Sequence, residues 1–164
     1  MSAWTTAYIG LGSNLGDPAA HVRNAMQALR QLHGTRDVRC SSLYRSAPVG
    51  ITEQPDFINA VCACATQLSA EALMEQLLGI ERVHGRDRSG PRGGPRTLDL
   101  DLLLYGDHTS ATAALSLPHP RLHERAFVLY PLAELDPALN IPGRGEVRAL
   151  LRTCPPQRLE KLTP

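Results

Sequence analysis

Two aspartates stand two residues apart in an otherwise apolar stretch. Asp99 and Asp101 lie within residues 94–105, GPRTLDLDLLLY. Residues two apart in a β-strand share a face, so both carboxylates are expected to project from the same face of a sheet. Adjacent like charges repel unless a cation joins them, and oxygen ligands with room for phosphate and water suit Mg²⁺. The alternative is that both aspartates face solvent and pair with neighbouring arginines.

Four arginines come shortly before these aspartates, in a segment interrupted by Gly and Pro: Arg86, Arg88, Arg92 and Arg96. Guanidinium groups bind phosphate oxygens bidentately, and a triphosphate needs its charge neutralised on both sides. A P-loop is excluded because its motif needs a lysine, and Lys161 is the only lysine in the chain. The segment therefore favours a triphosphate site of another architecture, with a solvated basic loop as the alternative.

A second pair of side chains suits a flat ligand. Phe57 and Asn59 also lie two apart in a predicted strand, which places an aromatic ring beside a carboxamide that both donates and accepts hydrogen bonds. That combination fits a flat heteroaromatic molecule, although a strand Phe is also ordinary core material. The glycines at 10, 12 and 16 form a phosphate loop or a turn, but they miss the G-x-G-x-x-G spacing of dinucleotide-binding proteins.

The elements that must position these residues follow from turn signals and periodicity. Strands are predicted at residues 5–11, 38–46, 57–67 and 98–105. Asp17 and Pro18 begin a helix that runs toward Gly34, and Ser69 caps a second that runs to about His84. This order matches the split βαβ arrangement of ferredoxin-like α+β folds. Short helices are expected at 120–134 and 145–152, and the whole chain 1–164 is expected to form one domain.

Composition excludes several classes of protein. Hydrophobic content is 43%, charged content is 20% and net charge is +1, which is globular and gives no sign of nucleic-acid or membrane binding. A metal-dependent nuclease or RNA-binding protein is disfavoured, because aromatic residues make up only 4% and no basic stripe is visible. Without a signal peptide or long apolar run, we expect a cytoplasmic monomer whose four cysteines are free thiols.

The motifs together resemble one known family, the hydroxymethyl-dihydropterin pyrophosphokinases, from residue 7 to about 151. They are YIGLGSNLG at 8–16, SLYRS at 42–46, QPDFINA at 54–60, GPRTLDLD at 94–101, PHP at 118–120 and RAF at 125–127. The resemblance implies a ferredoxin-like α/β/α sandwich with a largely antiparallel sheet and extra C-terminal helices. It also implies transfer of diphosphate from MgATP to 6-hydroxymethyl-7,8-dihydropterin in folate biosynthesis, which gives the pterin diphosphate and AMP.

The alternative is a non-catalytic ferredoxin-like ligand-binding or regulatory module. Such a module would keep the fold but would have no reason to keep Asp99, Asp101 and the arginines together.

The resemblance also assigns roles to individual residues. Asp99 and Asp101 would bind two Mg²⁺ ions, and Arg86 and Arg96 would clamp the transferring phosphates as further catalytic residues. The other implied nucleotide-binding residues are Glu81, Arg88, Arg92, Ser116, His119 and Arg125. The implied pterin-binding residues are Ser46, Ala47, Val49, Phe57, Asn59 and Phe127. The chain departs from the family at Gly93, where an aromatic residue is usual, and at Ala114, where a basic residue is usual.

Overall fold

A computed structural model describes residues 3–48, 53–84, 97–112 and 114–162 of the chain. Its main sheet contains six antiparallel strands: β1 (Thr5–Ser13), β2 (Thr35–Cys40), β3 (Tyr44–Ser46), β4 (Phe57–Thr66), β5 (Asp99–Tyr105) and β10 (Leu159–Lys161). The strand order is β10-β3-β4-β1-β5, and β2 also pairs with β4.

Four helices and two small hairpins complete the described part of the fold. The helices are α1 (Pro18–Arg30), α2 (Ala70–Val83), α3 (Ala126–Leu135) and α4 (Val147–Thr153). The hairpins are formed by β6 (Ser110–Ala111) with β7 (Ser116–Leu117), and by β8 (Asn140–Ile141) with β9 (Gly145–Glu146). Among the described residues, no helix has the length and apolar character needed to cross a membrane.

The first two helices begin where the sequence predicts. Asp17 caps α1 by accepting a hydrogen bond from the Ala20 N–H at 3.2 Å, with Pro18 in the first turn. Ser69 caps α2 in the same way through the Ala72 N–H at 3.1 Å. Each cap satisfies a backbone donor that the helix itself leaves unpaired. The end of α1 at Arg30 is earlier than the predicted approach to Gly34.

The sheet separates two hydrophobic cores, because alternate strand residues point to opposite faces. On one face, Ile9 and Leu100 pack with the apolar sides of α1 and α2. On the other, Tyr8 and Val61 pack with Leu129 of α3 and with α4. The predicted α/β/α sandwich with a largely antiparallel sheet and extra C-terminal helices is therefore confirmed.

The predicted strand 38–46 is wrong as a single element. Strands β2 and β3 both pair with β4, but they are separated at Ser41. The Ser41 hydroxyl accepts a hydrogen bond from the Val61 N–H at 3.0 Å and donates one to the Ser42 carbonyl at 2.8 Å. The Ser41 hydroxyl thus replaces a backbone carbonyl as the acceptor for Val61. Serine side chains commonly compete with backbone groups in this way.

The predicted tail helix 120–134 is also divided. Residues 122–124 form a single 3-10 turn, Arg125 is extended at φ −114° and ψ 107°, and α3 starts only at Ala126. The extended Arg125 ends the turn and redirects the chain before the longer helix. Strand β10 and the two hairpins were not predicted, because segments of two or three residues carry little periodicity.

The expectation of four free thiols is wrong for two cysteines. Cys40 on β2 and Cys62 on β4 are direct partners in the antiparallel ladder, and a disulfide links them with their Cα atoms 4.1 Å apart. Cys64 and Cys154 are free, as expected. Cys62 and Cys64 do share one buried face of β4, as their spacing predicts.

Candidate active site

The two predicted chemical pairs lie on one face of the sheet, on either side of β1. Gly12 is the ladder partner of Asn59 on β4 and of Asp99 on β5. Gly10 lies two residues earlier, on the same face of β1, and is the partner of Asp101. This is the face covered by α3, because Tyr8 of the same alternation belongs to that core. We call Gly10 and Gly12, with the flanking Asn59, Asp99 and Asp101, the glycine floor.

Glycine at positions 10 and 12 lets neighbouring side chains lie close over β1, between the carboxamide and the carboxylates. A Cβ atom at Gly12 would lie 3.0 Å from the Asn59 Nδ2 atom, closer than almost all real Cβ contacts. A Cβ atom at Gly10 would have its nearest contacts with the Leu103 side chain, at 3.4 Å. The missing side chains therefore leave room for the Asn59 amide and the Leu103 side chain over β1, with a hydrogen-bonding group on one side of the strand and negative charge on the other.

The carboxylates are held on an edge strand. Asp99 and Asp101 are both half-buried, while Leu98, Leu100 and Leu102 between and around them enter the opposite core. The donor set is two carboxylates on one strand face, next to the glycines of β1. That set fits Mg²⁺, which is commonly held by one or two carboxylates together with phosphate oxygens and water.

Glu81 supports this strand from α2. Its side chain is 1% exposed, and its Oε2 atom accepts a hydrogen bond from the Leu100 N–H at 2.7 Å. The open edge of β5 would otherwise leave that backbone donor without a strand partner. Sequence reasoning assigned Glu81 to nucleotide binding and missed this backbone contact, since nothing in the spacing shows that α2 reaches the edge of β5.

The Asn59 amide is oriented by a neighbouring hydroxyl. The Ser46 Oγ atom donates to Asn59 Oδ1 at 2.5 Å, and both side chains are buried. The amide oxygen is therefore engaged by β3, while the amide nitrogen lies beside the glycine floor at Gly12. Phe57, the ladder partner of Ser46, is half-buried next to them. The structure thus brings the predicted pair 57 and 59 together with Ser46.

Residues at the start of α3 are also predicted to line the site. Phe127 is half-buried and packs against the core beneath α3. The Arg125 guanidinium carbon lies 5.6 Å from the Phe127 ring centroid, within the range of a cation–π contact. An aromatic ring and a cation are thereby adjacent at one helix end.

His119 connects this region to the carboxylates. Its backbone N–H donates to the Leu103 carbonyl at 2.9 Å, and its Nδ1 atom accepts from the Arg121 N–H at 3.3 Å. Burial, followed by the charge of Arg125, lowers the pKa of His119 to about 4, although Asp99 acts in the opposite direction. The imidazole is therefore neutral at physiological pH, with its remaining nitrogen available as a hydrogen-bond donor.

The remaining predicted residues are dispersed or lie outside the described part of the chain. Ser116 is exposed on β7 and donates its hydroxyl to the Thr112 carbonyl at 3.1 Å. Ala47 follows β3, and both of its backbone groups are hydrogen-bonded to the C-terminal segment. Ala114 is exposed. The residues outside the described ranges are Val49, Arg86, Arg88, Arg92, Gly93 and Arg96.

Sequence reasoning also missed Glu134 on α3, which ties that helix to β3. Its carboxylate accepts hydrogen bonds from the Ser42 N–H at 2.8 Å and from the Tyr44 hydroxyl at 2.6 Å. Burial acts to raise the pKa of Glu134, but these donors and the Lys161 charge outweigh it and lower that pKa. Glu134 thus links the element that carries Phe127 to the strand that carries Ser46. A lone Glu in an apolar helix was the only available signal.

Comparison with known proteins gives a consistent result. The family model described as 7,8-dihydro-6-hydroxymethylpterin-pyrophosphokinase matches residues 8–137. The 2-amino-4-hydroxy-6-hydroxymethyldihydropteridine pyrophosphokinase of Pseudomonas aeruginosa is 44% identical over 155 residues, which cover 94% of this chain and 95% of that protein. The protein of the same name from Haemophilus influenzae is 42% identical over 159 residues, covering 97% and 99%.

Solved structures support the fold. The HPPK-DHPS triple mutant of Plasmodium falciparum, crystallised with pteroate, superposes with a TM-score of 0.73 at 12% identity. The match covers 93% of this chain and 43% of that one, so this chain spans less than half the length of the solved protein. At that level of identity, the likeness concerns the fold alone.

Proposed function

Because this chain belongs to the 7,8-dihydro-6-hydroxymethylpterin-pyrophosphokinase family, we propose that the glycine floor is the place where diphosphate passes from ATP to the pterin. The chain is a pyrophosphokinase, a diphosphotransferase of folate biosynthesis. The acceptor is the hydroxyl of 6-hydroxymethyl-7,8-dihydropterin, and the products are the pterin diphosphate and AMP.

A single observation carries the assignment of the site. Gly12 separates Asn59 from Asp99 in one ladder row, so the amide and the carboxylate lie on the same face of the sheet, on opposite sides of β1. The Asn59 side, with Ser46 and Phe57, suits a flat heteroaromatic ring. The Asp99 side suits the cation that accompanies a triphosphate. A pterin on one side would present its hydroxymethyl group to phosphates on the other.

In the proposed reaction, the pterin oxygen attacks the β-phosphorus of ATP. A new O–P bond forms as the hydroxyl loses its proton to water, the bond between that phosphorus and the oxygen bridging to the α-phosphate breaks, and AMP leaves. Such transfers depend mostly on positioning and on neutralisation of charge. Asn59 and the rings of Phe57 and Phe127 would orient the pterin. Arg86 and Arg96 would clamp the phosphates, with Arg88, Arg92, Arg125, His119 and Ser116 assisting.

The family's use of ATP implies Mg²⁺. We propose that Asp99 and Asp101 together hold two ions. When bound, Mg²⁺ neutralises phosphate charge and lowers the pKa of a coordinated hydroxyl. We further propose a cytoplasmic monomer, for which size-exclusion chromatography with light scattering and cell fractionation are the direct tests.

The reaction is tested by following both nucleotides. Purified protein with MgATP and the pterin should release AMP and form pterin diphosphate in equal amounts, as measured by chromatography and ³¹P NMR. Accumulation of ADP with a pterin monophosphate would contradict attack at the β-phosphorus. Absence of pterin-dependent ATP turnover would contradict the proposed use of the glycine floor.

A further inference from the structure

The C-terminal segment reaches back to the edge of the sheet that carries the proposed pterin side of the site. Strand β10 pairs with β3 so that Leu159 is opposite Ser46, and the Leu162 N–H donates to the Leu43 carbonyl at 2.8 Å. The family match ends at residue 137. The strand therefore lies beyond the matched region, yet it is built onto β3.

Residues just before β10 engage the backbone of Ala47. The Ala47 N–H donates to the Arg158 carbonyl at 3.2 Å, and the Ala47 carbonyl accepts from the Gln157 Nε2 atom at 3.3 Å. Ala47 directly follows Ser46, whose hydroxyl orients the Asn59 amide. The position of the chain as it leaves β3 is thus set by the C-terminal segment.

The same segment also holds the chain where it enters β4. Both terminal nitrogens of Arg158 bond to the two carboxylate oxygens of Asp56, at 3.0 and 2.8 Å. Asp56 directly precedes Phe57, the first residue of β4. A bidentate pair fixes the orientation of both groups as well as their distance. Arg158 therefore contacts Ala47 through its backbone and Asp56 through its side chain.

We propose that Gln157 and Arg158 form a C-terminal clamp, a pair of positioning residues that sets the geometry of the pterin pocket. The clamp joins the two ends of the connection between β3 and β4, and so fixes how Ser46 and Phe57 face Asn59. This inference rests on the proposed assignment of Ser46, Phe57 and Asn59 to the pterin. The phosphate side is carried by β5, which β3, β4 and β1 separate from β10 in the sheet.

The test separates the affinities of the two substrates. Arg158→Ala and Asp56→Ala should each raise KM for the pterin about three- to fivefold, the size that an exposed ion pair can supply. KM for ATP and kcat should stay within about twofold. The double variant should be no worse than either single one, because both remove the same contact. The charge-reversed pair Asp56→Arg/Arg158→Asp should recover part of the loss.

Two controls make the result decisive. Arg148→Ala removes another exposed pair of the C-terminal region, with Glu146 at 2.8 Å, and should leave both KM values unchanged. Asn59→Ala should raise KM for the pterin more than any clamp variant does. If Asn59→Ala raised KM for the pterin and Arg158→Ala did not, the clamp alone would be overturned. If Asn59→Ala left KM for the pterin unchanged, the pterin assignment itself would be overturned. Equal changes in both KM values with a lowered Tm would also overturn the clamp.

Discussion

The buried carboxylate of Glu81 accepts a hydrogen bond from the backbone N–H of Leu100, the residue between the two aspartates of the glycine floor. This contact anchors β5 at its open edge. Helix α2 thereby determines where Asp99 and Asp101 stand relative to β1. The carboxylates are thus positioned through their own backbone by a side chain from another element.

Replacing Glu81 with Leu should weaken both the fold and the metal site. The Leu100 N–H would be left buried without an acceptor, which costs about 1–3 kcal/mol of unfolding free energy. The Mg²⁺ concentration that gives half-maximal activity should also rise, because β5 loses its anchor. Glu81→Gln keeps an acceptor oxygen, so its free energy of unfolding and its Mg²⁺ dependence should stay close to those of the parent protein. Urea unfolding and Mg²⁺ titration of activity measure the two effects.

The two measurements distinguish two roles for Glu81. If Glu81→Leu lost stability while its Mg²⁺ dependence stayed that of the parent protein, the contact would be structural only. A rise confined to KM for ATP would instead support the role in nucleotide binding that the family resemblance implies.

Removing either aspartate should abolish most of the turnover without unfolding the protein. Asp99→Asn and Asp101→Asn should each lower kcat by about 10²-fold or more, the scale seen when one electrostatic stabiliser of a transition state is lost. Both side chains are half-buried and lie on the face opposite the core that Leu98, Leu100 and Leu102 enter, so apo stability should change little. Steady-state kinetics and thermal unfolding with EDTA measure the two quantities.

Asp107, exposed in the turn after β5, provides the matched control. Asp107→Asn should leave kcat unchanged. A large fall in the apo Tm of Asp99→Asn or Asp101→Asn would show that the carboxylates support the fold instead of a cation.

The sheet could be predicted from the sequence, but the junctions between its strands could not. Strands β1, β4 and β5 carry clear periodicity, and the caps at Asp17 and Ser69 are local signals that a single sequence contains. The break at Ser41 depends on a hydroxyl competing for Val61. The Cys40–Cys62 link depends on a ladder register between distant segments. Neither has a local pattern.

The candidate site could also be predicted from the sequence only in part. Residue types and spacing identified Asp99, Asp101, Phe57 and Asn59, because period-two alternation shows which side chains share a face. The contacts of Glu81 with Leu100 and of Arg158 with Asp56 join residues 19 and 102 positions apart. Contacts of that kind arise from packing of whole elements and are invisible to periodicity.

The neutral His119 should make the protein less stable in mild acid. Its pKa is about 4 when folded, against an ordinary value of 6.5. The unfolded chain therefore binds the proton more readily, and stability falls as the pH drops from about 6.5 toward about 4. His119→Asn keeps an acceptor for the Arg121 N–H but cannot take up a proton. Its unfolding free energy should decline less over that pH range.

Urea unfolding at several pH values between 4 and 7 checks this expectation. His33→Gln, which changes an exposed histidine, serves as the control and should follow the parent protein. Parallel pH profiles for the parent protein and His119→Asn would show that folding does not lower the pKa of His119.

The glycine floor itself is tested by adding single methyl groups to it. Gly12→Ala would place a Cβ atom 3.0 Å from the Asn59 Nδ2 atom, so the amide or the strand must shift. Overpacking on this scale costs about 1–3 kcal/mol, and a displaced amide should raise KM for the pterin by about tenfold. Gly10→Ala is the matched control, because the nearest contacts of its Cβ atom are with the flexible Leu103 side chain at 3.4 Å.

Comparison of the two variants separates the effect of displacing the Asn59 amide from the general effect of adding a methyl group to β1. Both add one methyl group to β1 on the same face, and neither glycine has a positive φ that an alanine would strain. Pterin binding measured by calorimetry should therefore weaken for Gly12→Ala and change little for Gly10→Ala. If both variants bound the pterin as the parent protein does, Asn59 would not be a pterin ligand.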